Sequence, residues 1–183
     1  AQECDFAYNA TQMALQWDML ASGETRVMLN AQSEILNKPY GTSWITYTRC
    51  HDDIGLGYDD YMITNAGYNA FEHRKFLKDY YSGTHPGSPA VGALFSSNPK
   101  TGDARISGSL ASLCGLEKGI YENSQEQIDI AIKKIIMMQA HSFFLGGLPV
   151  LFYGDEVGYT NDYSYQQDPG KSYDNRWMHR PII

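Results

Sequence analysis

The chain alternates short apolar segments with stretches of helical periodicity, and this alternation limits the possible folds more than any other feature. The apolar segments are residues 4–8, 43–49 and 148–153, and the second is built of the β-branched and aromatic residues typical of strands. Helical spacing begins after Asn9 and after Ser124, both suitable N-cap residues. Buried strands that alternate with amphipathic helices predict an α/β fold with a parallel sheet.

The helical patterns have recognisable ends. The first runs from Asn9 to Gly23, a typical C-terminal stop, and the second ends before Pro39. The third begins at a capping box formed by Ser124 with Gln127. Its apolar residues recur at helical spacing, which predicts a long amphipathic helix: Ile128, Ile132, Ile135, Ile136 and Phe143.

A long stretch between these patterns is expected to be irregular. Residues 56–119 are rich in Gly, Pro, Ser, Asn and Tyr, with a helical island around Phe71 to Tyr81. An irregular stretch of that length inside a domain usually has a functional role. We therefore expect three segments along the chain, at residues 1–55, 56–120 and 121–183.

Composition excludes several classes of protein. A net charge of −7 argues against nucleic acid as a partner, and no apolar run reaches the ~20 residues of a membrane span. Three cysteines at wide spacing predict neither a disulfide framework nor a CxxC metal site. The chain begins without Met, so we expect a piece of a longer protein, with any targeting signal outside it and the compartment left open.

Two polar clusters follow predicted strands, where α/β folds often place site residues. The first is His51-Asp52-Asp53 and the second is Asp155-Glu156. A metal site needs a further ligand at a recognisable spacing, and a hydrolase triad needs a GxSxG elbow; the sequence has neither. Binding of sugar hydroxyls needs only a carboxylate and a neighbouring donor. On spacing alone, it is an equally good interpretation that His51-Asp52-Asp53 has only the structural role of ending the strand.

Several motifs in one order strengthen the carbohydrate interpretation. Ser43 to Gly55 resembles the seventh-strand motif of glycoside hydrolase family 13, the α-amylase family, and is most similar to its amylosucrase and sucrose hydrolase branch. Gly147 to Gly158 is similar to the eighth-strand motif, and Glu3 to Asn9 to the sixth strand. Asn98 to Gly108 resembles an insertion after strand seven, and residues 168–181 resemble the stretch after strand eight.

The resemblance implies a partial (β/α)8 barrel, comprising about strands six to eight, with a long insertion after strand seven. A complete barrel takes about 250 residues, more than this chain offers once the insertion is subtracted. In a retaining α-glucoside-processing enzyme of this kind, Asp52 would stabilise the transition state. His51 would donate a hydrogen bond to the same glucosyl unit.

Further roles follow from the resemblance. Asp53 and Arg105 would contact the leaving or acceptor sugar, with Asn98 near them. Arg176 would pair with an acidic residue elsewhere and close the end of the pocket. Arg74 would line the acceptor channel.

The nucleophilic aspartate and the acid/base glutamate of the retaining mechanism have no matching motifs here. Asp155-Glu156 matches a different motif, for which we expect a structural role. No metal or organic cofactor is expected, and the expected partners are a sucrose or α-glucan-type carbohydrate and the remainder of the parent barrel. The alternative hypothesis is a non-catalytic carbohydrate-binding or scaffold fragment.

Overall fold

A computed structural model describes residues 4–180 and 182. Glu3, where the first motif begins, lies outside the described residues, as do the outermost residues of the first and last expected segments. The strands are β1 (Phe6–Tyr8), β2 (Ser43–Tyr47), β3 (Ile54–Gly55), β4 (Ala93–Ser97), β5 (Ala104–Ser107) and β6 (Leu148–Val150). The α-helices are α1 (Ala10–Ser22), α2 (Arg26–Asn30), α3 (Gln32–Leu36), α4 (Asp60–Asn65), α5 (Ala70–Tyr81), α6 (Leu110–Leu113), α7 (Leu116–Tyr121) and α8 (Gln125–Phe144).

The three predicted strands form one parallel sheet in the order β1-β2-β6. Phe6 pairs with Ser43, and Ile45 pairs with Leu148, so the carboxyl ends of all three strands lie at one edge. Helices lie between the strands along the chain, which confirms the α/β class. Polar residues that follow β2 and β6 are therefore brought to the same side of the molecule.

Helix α1 has both of its predicted ends. The Asn9 side chain accepts a hydrogen bond from the amide of Gln12, and Gly23 ends the helix in the left-handed conformation at φ 69°. The helix buries Trp17 completely, and the indole Nε1 donates to the carbonyl of Thr48 at 2.8 Å. This bond ties α1 to the segment just beyond β2.

The expectation of an irregular stretch over residues 56–119 is wrong. Strands β3, β5 and β4 form a second, antiparallel sheet, and helices α4, α6 and α7 accompany the predicted helix α5. Their buried side chains pack with α1 in one core: Leu15, Trp17, Met62, Ile63, Leu77, Tyr81, Ile106, Leu110 and Leu113. The turn-rich composition reflects short elements, since β5 and α6 have four residues each.

Two helical predictions need correction. The pattern over Val27, Ala31 and Ile35 forms two short helices, because the backbone leaves the helical region at Ala31. Helix α8 begins after Ser124, whose hydroxyl accepts from the amide of Gln127, whereas the Ser124 amide donates to the carbonyl of Gly119 and not to Gln127. Ile136 and Phe143 on its apolar face are exposed, since that face lacks a packing partner among the described residues. At 20 residues α8 is the longest helix described, and neither it nor any other described helix could cross a membrane.

The segment after β2 is fixed by a buried ion pair. Arg49 Nη2 and Nε lie 2.8 and 2.9 Å from Asp155 Oδ1, and both side chains are 1% exposed. The guanidinium also lies 4.4 Å from the ring centre of Phe152. Burial raises the pKa of Asp155, and Arg49 opposes that rise. The structural role expected for Asp155 agrees with this geometry.

Replacement of Asp155 by Asn should therefore destabilise the chain. The substitution leaves the Arg49 charge buried without its counter-ion, and we expect a loss of about 3–5 kcal/mol in the free energy of unfolding. Urea denaturation followed by circular dichroism measures the change. The exposed neighbour Glu156 gives the matched control, since Glu156→Gln should change the value by no more than about 0.5 kcal/mol. Equal effects of the two substitutions would contradict this role.

Candidate active site

A cleft of about 370 Å³ lies where β1 and β2 end. Its lining includes Cys50, Asp52 and Asp53 from the segment after β2. Arg105 reaches it from β5 in the second sheet, and Arg176 from the short 3-10 helix Asn175–His179. Four of the predicted site residues are thus brought together from three parts of the chain.

Asp52 is half exposed and has cationic neighbours on one oxygen. Its Oδ1 lies 3.2 Å from Arg176 Nη1 and 3.7 Å from Arg180 Nη2. Its Oδ2 faces the imidazole of His51, with Nε2 at 3.5 Å. The carboxylate therefore has one oxygen directed to the arginines and one directed to the histidine.

The Asp53 side chain is 5% exposed and is placed between two arginines. Its Oδ2 lies 3.4 Å from Arg105 Nη1, and its Oδ1 lies 3.8 Å from Arg176 Nη1. Arg176 therefore contacts both Asp52 and Asp53. Through Arg105, the second sheet contributes a charge to the site.

Arg176 has its strongest contact with Asp174. Its Nε lies 2.9 Å from Oδ1 and its Nη2 lies 2.9 Å from Oδ2, a two-pronged contact that a lysine could not reproduce. Hydrogen bonds from Arg176 lower the pKa of Asp174. The guanidinium also lies 4.5 Å from the ring centre of Phe95. The resemblance implied a partner elsewhere, whereas the structure provides Asp174 as the main partner within this chain.

The other predicted residues lie apart from the cleft lining or at its edge. The His51 side chain is 65% exposed beside Asp52. The Asn98 side chain accepts from the amide of Lys100 at 3.0 Å, so it stabilises the β4–β5 turn instead of lining the cleft. Arg74 is buried, donates to the carbonyl of Tyr58 and pairs with Asp60, so it is not available to line an acceptor channel.

Tyr47 adds an aromatic wall with a hydroxyl group. It lines the cleft and packs edge-on against Tyr8, with ring centres 5.3 Å apart. Burial raises its pKa to about 12, so the phenol keeps its proton at neutral pH. The cleft thus offers carboxylate acceptors and guanidinium donors beside an aromatic side chain, which together suit a polyhydroxylated ligand.

His179 is a residue of the site that the sequence did not reveal. It is 1% exposed, and its Nδ1 accepts from the amide of Gly108 at 2.8 Å. Because an amide can only donate, the ring proton lies on Nε2, which donates to the carbonyl of His51 at 3.1 Å. Arg180 Nε donates to the same carbonyl at 2.8 Å. His179 thereby links the end of β5 to the segment that carries Asp52.

The same environment keeps His179 neutral. Burial, with the nearby charge of Arg49, lowers its pKa from 6.5 to about 3. Protonation would also place a hydrogen on Nδ1 against the Gly108 amide. The hydrogen bonds that join Gly108 to His51 through His179 are therefore kept throughout the pH range in which most enzymes work.

No protein-family model matches this chain. The interpretation of the site therefore depends on the geometry of the cleft and on the sequence motifs that supply its residues.

The neutral state of His179 predicts a pH-dependent stability. Below pH 6.5 the unfolded chain binds a proton on His179 that the folded chain does not, so stability falls as pH decreases toward about 3. The slope from this group approaches about 1.4 kcal/mol per pH unit. Urea denaturation between pH 7 and pH 4 measures it, with His179→Gln, which does not titrate, as the comparison. Parallel curves for the two proteins would contradict the assignment.

Proposed function

We propose that this chain supplies the carboxyl-terminal part of the active site of a retaining α-glucoside-processing enzyme similar to amylosucrases and sucrose hydrolases of glycoside hydrolase family 13. The observation that carries the proposal is the convergence of Asp52, Asp53, Arg105 and Arg176 on one cleft. In the proposed reaction a glucosyl unit passes to water or to an acceptor sugar. The carbohydrate is sucrose or an α-glucan.

The position of the cleft within the sheet supports this function. In (β/α)8 barrels the active site lies at the carboxyl ends of the parallel strands. Asp52 follows β2 at that edge, and β1, β2 and β6 would be strands six to eight of such a barrel. Residues 56–120 would be the long insertion after strand seven, from which Arg105 enters the cleft, and α8 would be the barrel helix that follows it.

Exposed apolar side chains support a larger parent barrel. The outer strands of the parallel sheet expose Phe6 and Tyr8 on β1, and Leu148 and Val150 on β6. On α8 a similar row is exposed, including Ile136 at 62%. Apolar surface of this kind, next to unpaired strand edges, requires a cover. We propose that the preceding strands and helices of the same protein provide it.

The proposed chemistry follows from the charges in the cleft. Glycosyl transfer passes through an oxocarbenium-like transition state, and hydrogen bonds to ring hydroxyls strengthen as positive charge develops. Asp52 would accept such bonds and stabilise the charge, while His51 would donate to the same ring. Asp53 and Arg105 would bind the leaving or acceptor sugar. Arg176, fixed by Asp174, would close the end of the pocket.

A non-catalytic carbohydrate-binding function is the alternative. It is favoured by one observation, namely that the motifs carrying the nucleophile and the acid/base are absent from this sequence. The sequence of the complete protein separates the two hypotheses. An aspartate and a glutamate at the ends of two earlier strands are required by the enzymatic function.

The role of Asp52 is tested by Asp52→Asn in the full-length protein. The amide keeps the size of the side chain but removes the negative charge, so kcat should fall by at least about a hundredfold. Turnover of sucrose, with glucose, fructose and polymer quantified, measures the effect. Asp59→Asn is the control, because Asp59 is exposed and makes no capping bond to α4. Undiminished turnover in Asp52→Asn would remove Asp52 from the mechanism.

Replacement of Arg105 should weaken binding of the acceptor sugar more than it slows hydrolysis of the donor sugar. Loss of a charged hydrogen bond costs about 1.5–3 kcal/mol, so Arg105→Gln should raise the KM for a sugar acceptor by at least about tenfold. Hydrolysis of the donor should change much less. The exposed Lys100, on the neighbouring turn, provides the control Lys100→Gln. An equal loss of hydrolysis and transfer in Arg105→Gln would contradict an acceptor-side role.

A further inference from the structure

Three potential metal ligands lie together at the mouth of the cleft. One ligand atom from each of Cys50, His51 and Asp52 falls within 4.8 Å of the other two. Spacing rules did not predict this group, because the three residues are consecutive and the chain turns sharply after β2. Thiolate, imidazole and carboxylate are the set of donors that zinc prefers in proteins.

The separation of these atoms is close to that of a metal site. Two nitrogen or oxygen ligands at 2.0–2.1 Å from a tetrahedral zinc ion lie about 3.3 Å apart, and a sulfur and a nitrogen about 3.5 Å apart. His51 Nε2 and Asp52 Oδ2 are 3.5 Å apart. Both side chains are at least half exposed, at 65% and 50%, and Cys50 Sγ lies within 4.8 Å of both of these ligand atoms.

The Cys50 thiol has features of a ligand. The backbone amide of Asp52 donates to Sγ at 3.4 Å, a contact that stabilises a thiolate, and Arg49 is the adjacent residue. Cys50 also lines the cleft, so an ion can reach it from solvent.

The neighbouring arginines leave one side of Asp52 open to a cation. Arg176 and Arg180 both contact Oδ1, at 3.2 and 3.7 Å. The histidine faces Oδ2. An ion bound through Oδ2 would therefore lie on the side of the carboxylate away from the closest guanidinium groups.

We propose that Cys50, His51 and Asp52 form a binding site for a thiophilic divalent cation such as Zn²⁺, with water in the fourth position. On binding, the Cys50 thiol releases its proton to solvent and Sγ bonds to the metal as thiolate. The bound ion would occupy Asp52 and His51 and so compete with a sugar for the cleft. The site itself does not depend on the proposed enzymatic function.

Titration of the full-length protein with Co²⁺, a spectroscopic substitute for Zn²⁺, tests the proposal. We expect one equivalent to bind, with a thiolate-to-cobalt charge-transfer band in the near ultraviolet that disappears when Zn²⁺ is added. Cys50→Ser should abolish the band. His51→Ala should weaken binding by at least about tenfold, since loss of even a supporting group commonly costs that much.

Cys4→Ser is the matched control. Cys4 is a free, exposed cysteine before β1, at the opposite edge of the parallel sheet from Cys50, and its replacement should leave the band unchanged. Circular dichroism establishes that each variant is folded, and the exposed His51 side chain makes its variant safe in this respect. Absence of the band in the unmodified chain, or its persistence in Cys50→Ser, would overturn the proposal. Neither outcome bears on glycoside turnover.

Discussion

The arrangement of the cleft depends on one buried guanidinium. Arg49 contacts Asp155 after β6 through two nitrogens, and its Nη1 donates to the carbonyls of Cys50 and His179, at 3.2 and 3.3 Å. Three distant segments of the chain are thus held by a single side chain. A guanidinium suits this task because its donors point in fixed directions within one plane. Since Arg49 directly precedes the cleft residues, its position determines theirs.

Two further side chains, those of His179 and Arg180, hold the same backbone segment. The His51 carbonyl accepts from His179 and from Arg180, so the segment that carries Asp52 is fixed through its main chain. The side chains of His51 and Asp52 are at least half exposed, and Asp52 keeps one oxygen, Oδ2, that does not contact the arginines. Fixed backbone with exposed functional groups is the arrangement that binding and catalysis require.

Much of the fold could be predicted from local sequence signals. The caps Asn9 and Ser124 and the glycine that ends α1 lie where their side-chain chemistry places them, because helix ends are determined by neighbouring residues. The parallel sheet followed from apolar segments of strong β-propensity. The antiparallel sheet was missed because β3 has two residues and β4 is mostly exposed, so neither has a periodic pattern to detect.

Part of the candidate site could also be predicted from local sequence signals. Asp52 and Asp53 follow a recognisable strand, and the motif resemblance added Arg105 and Arg176, all of which line the cleft. His179 could not be found, because its role arises from contacts with Gly108 and His51, far away in the sequence. Similarly, helical periodicity predicts that α8 has an apolar face. It does not predict whether another element of the fold covers that face.

A crystal structure of the full-length protein with an α-glucoside bound tests the role of Asp52 most directly. We expect a glucosyl ring with hydroxyls within about 3.2 Å of the Asp52 carboxylate and of the His51 imidazole, with Arg176 at the closed end of the pocket. A sugar bound elsewhere, with Asp52 directed away from it and still held by Arg176 and Arg180, would contradict the central claim.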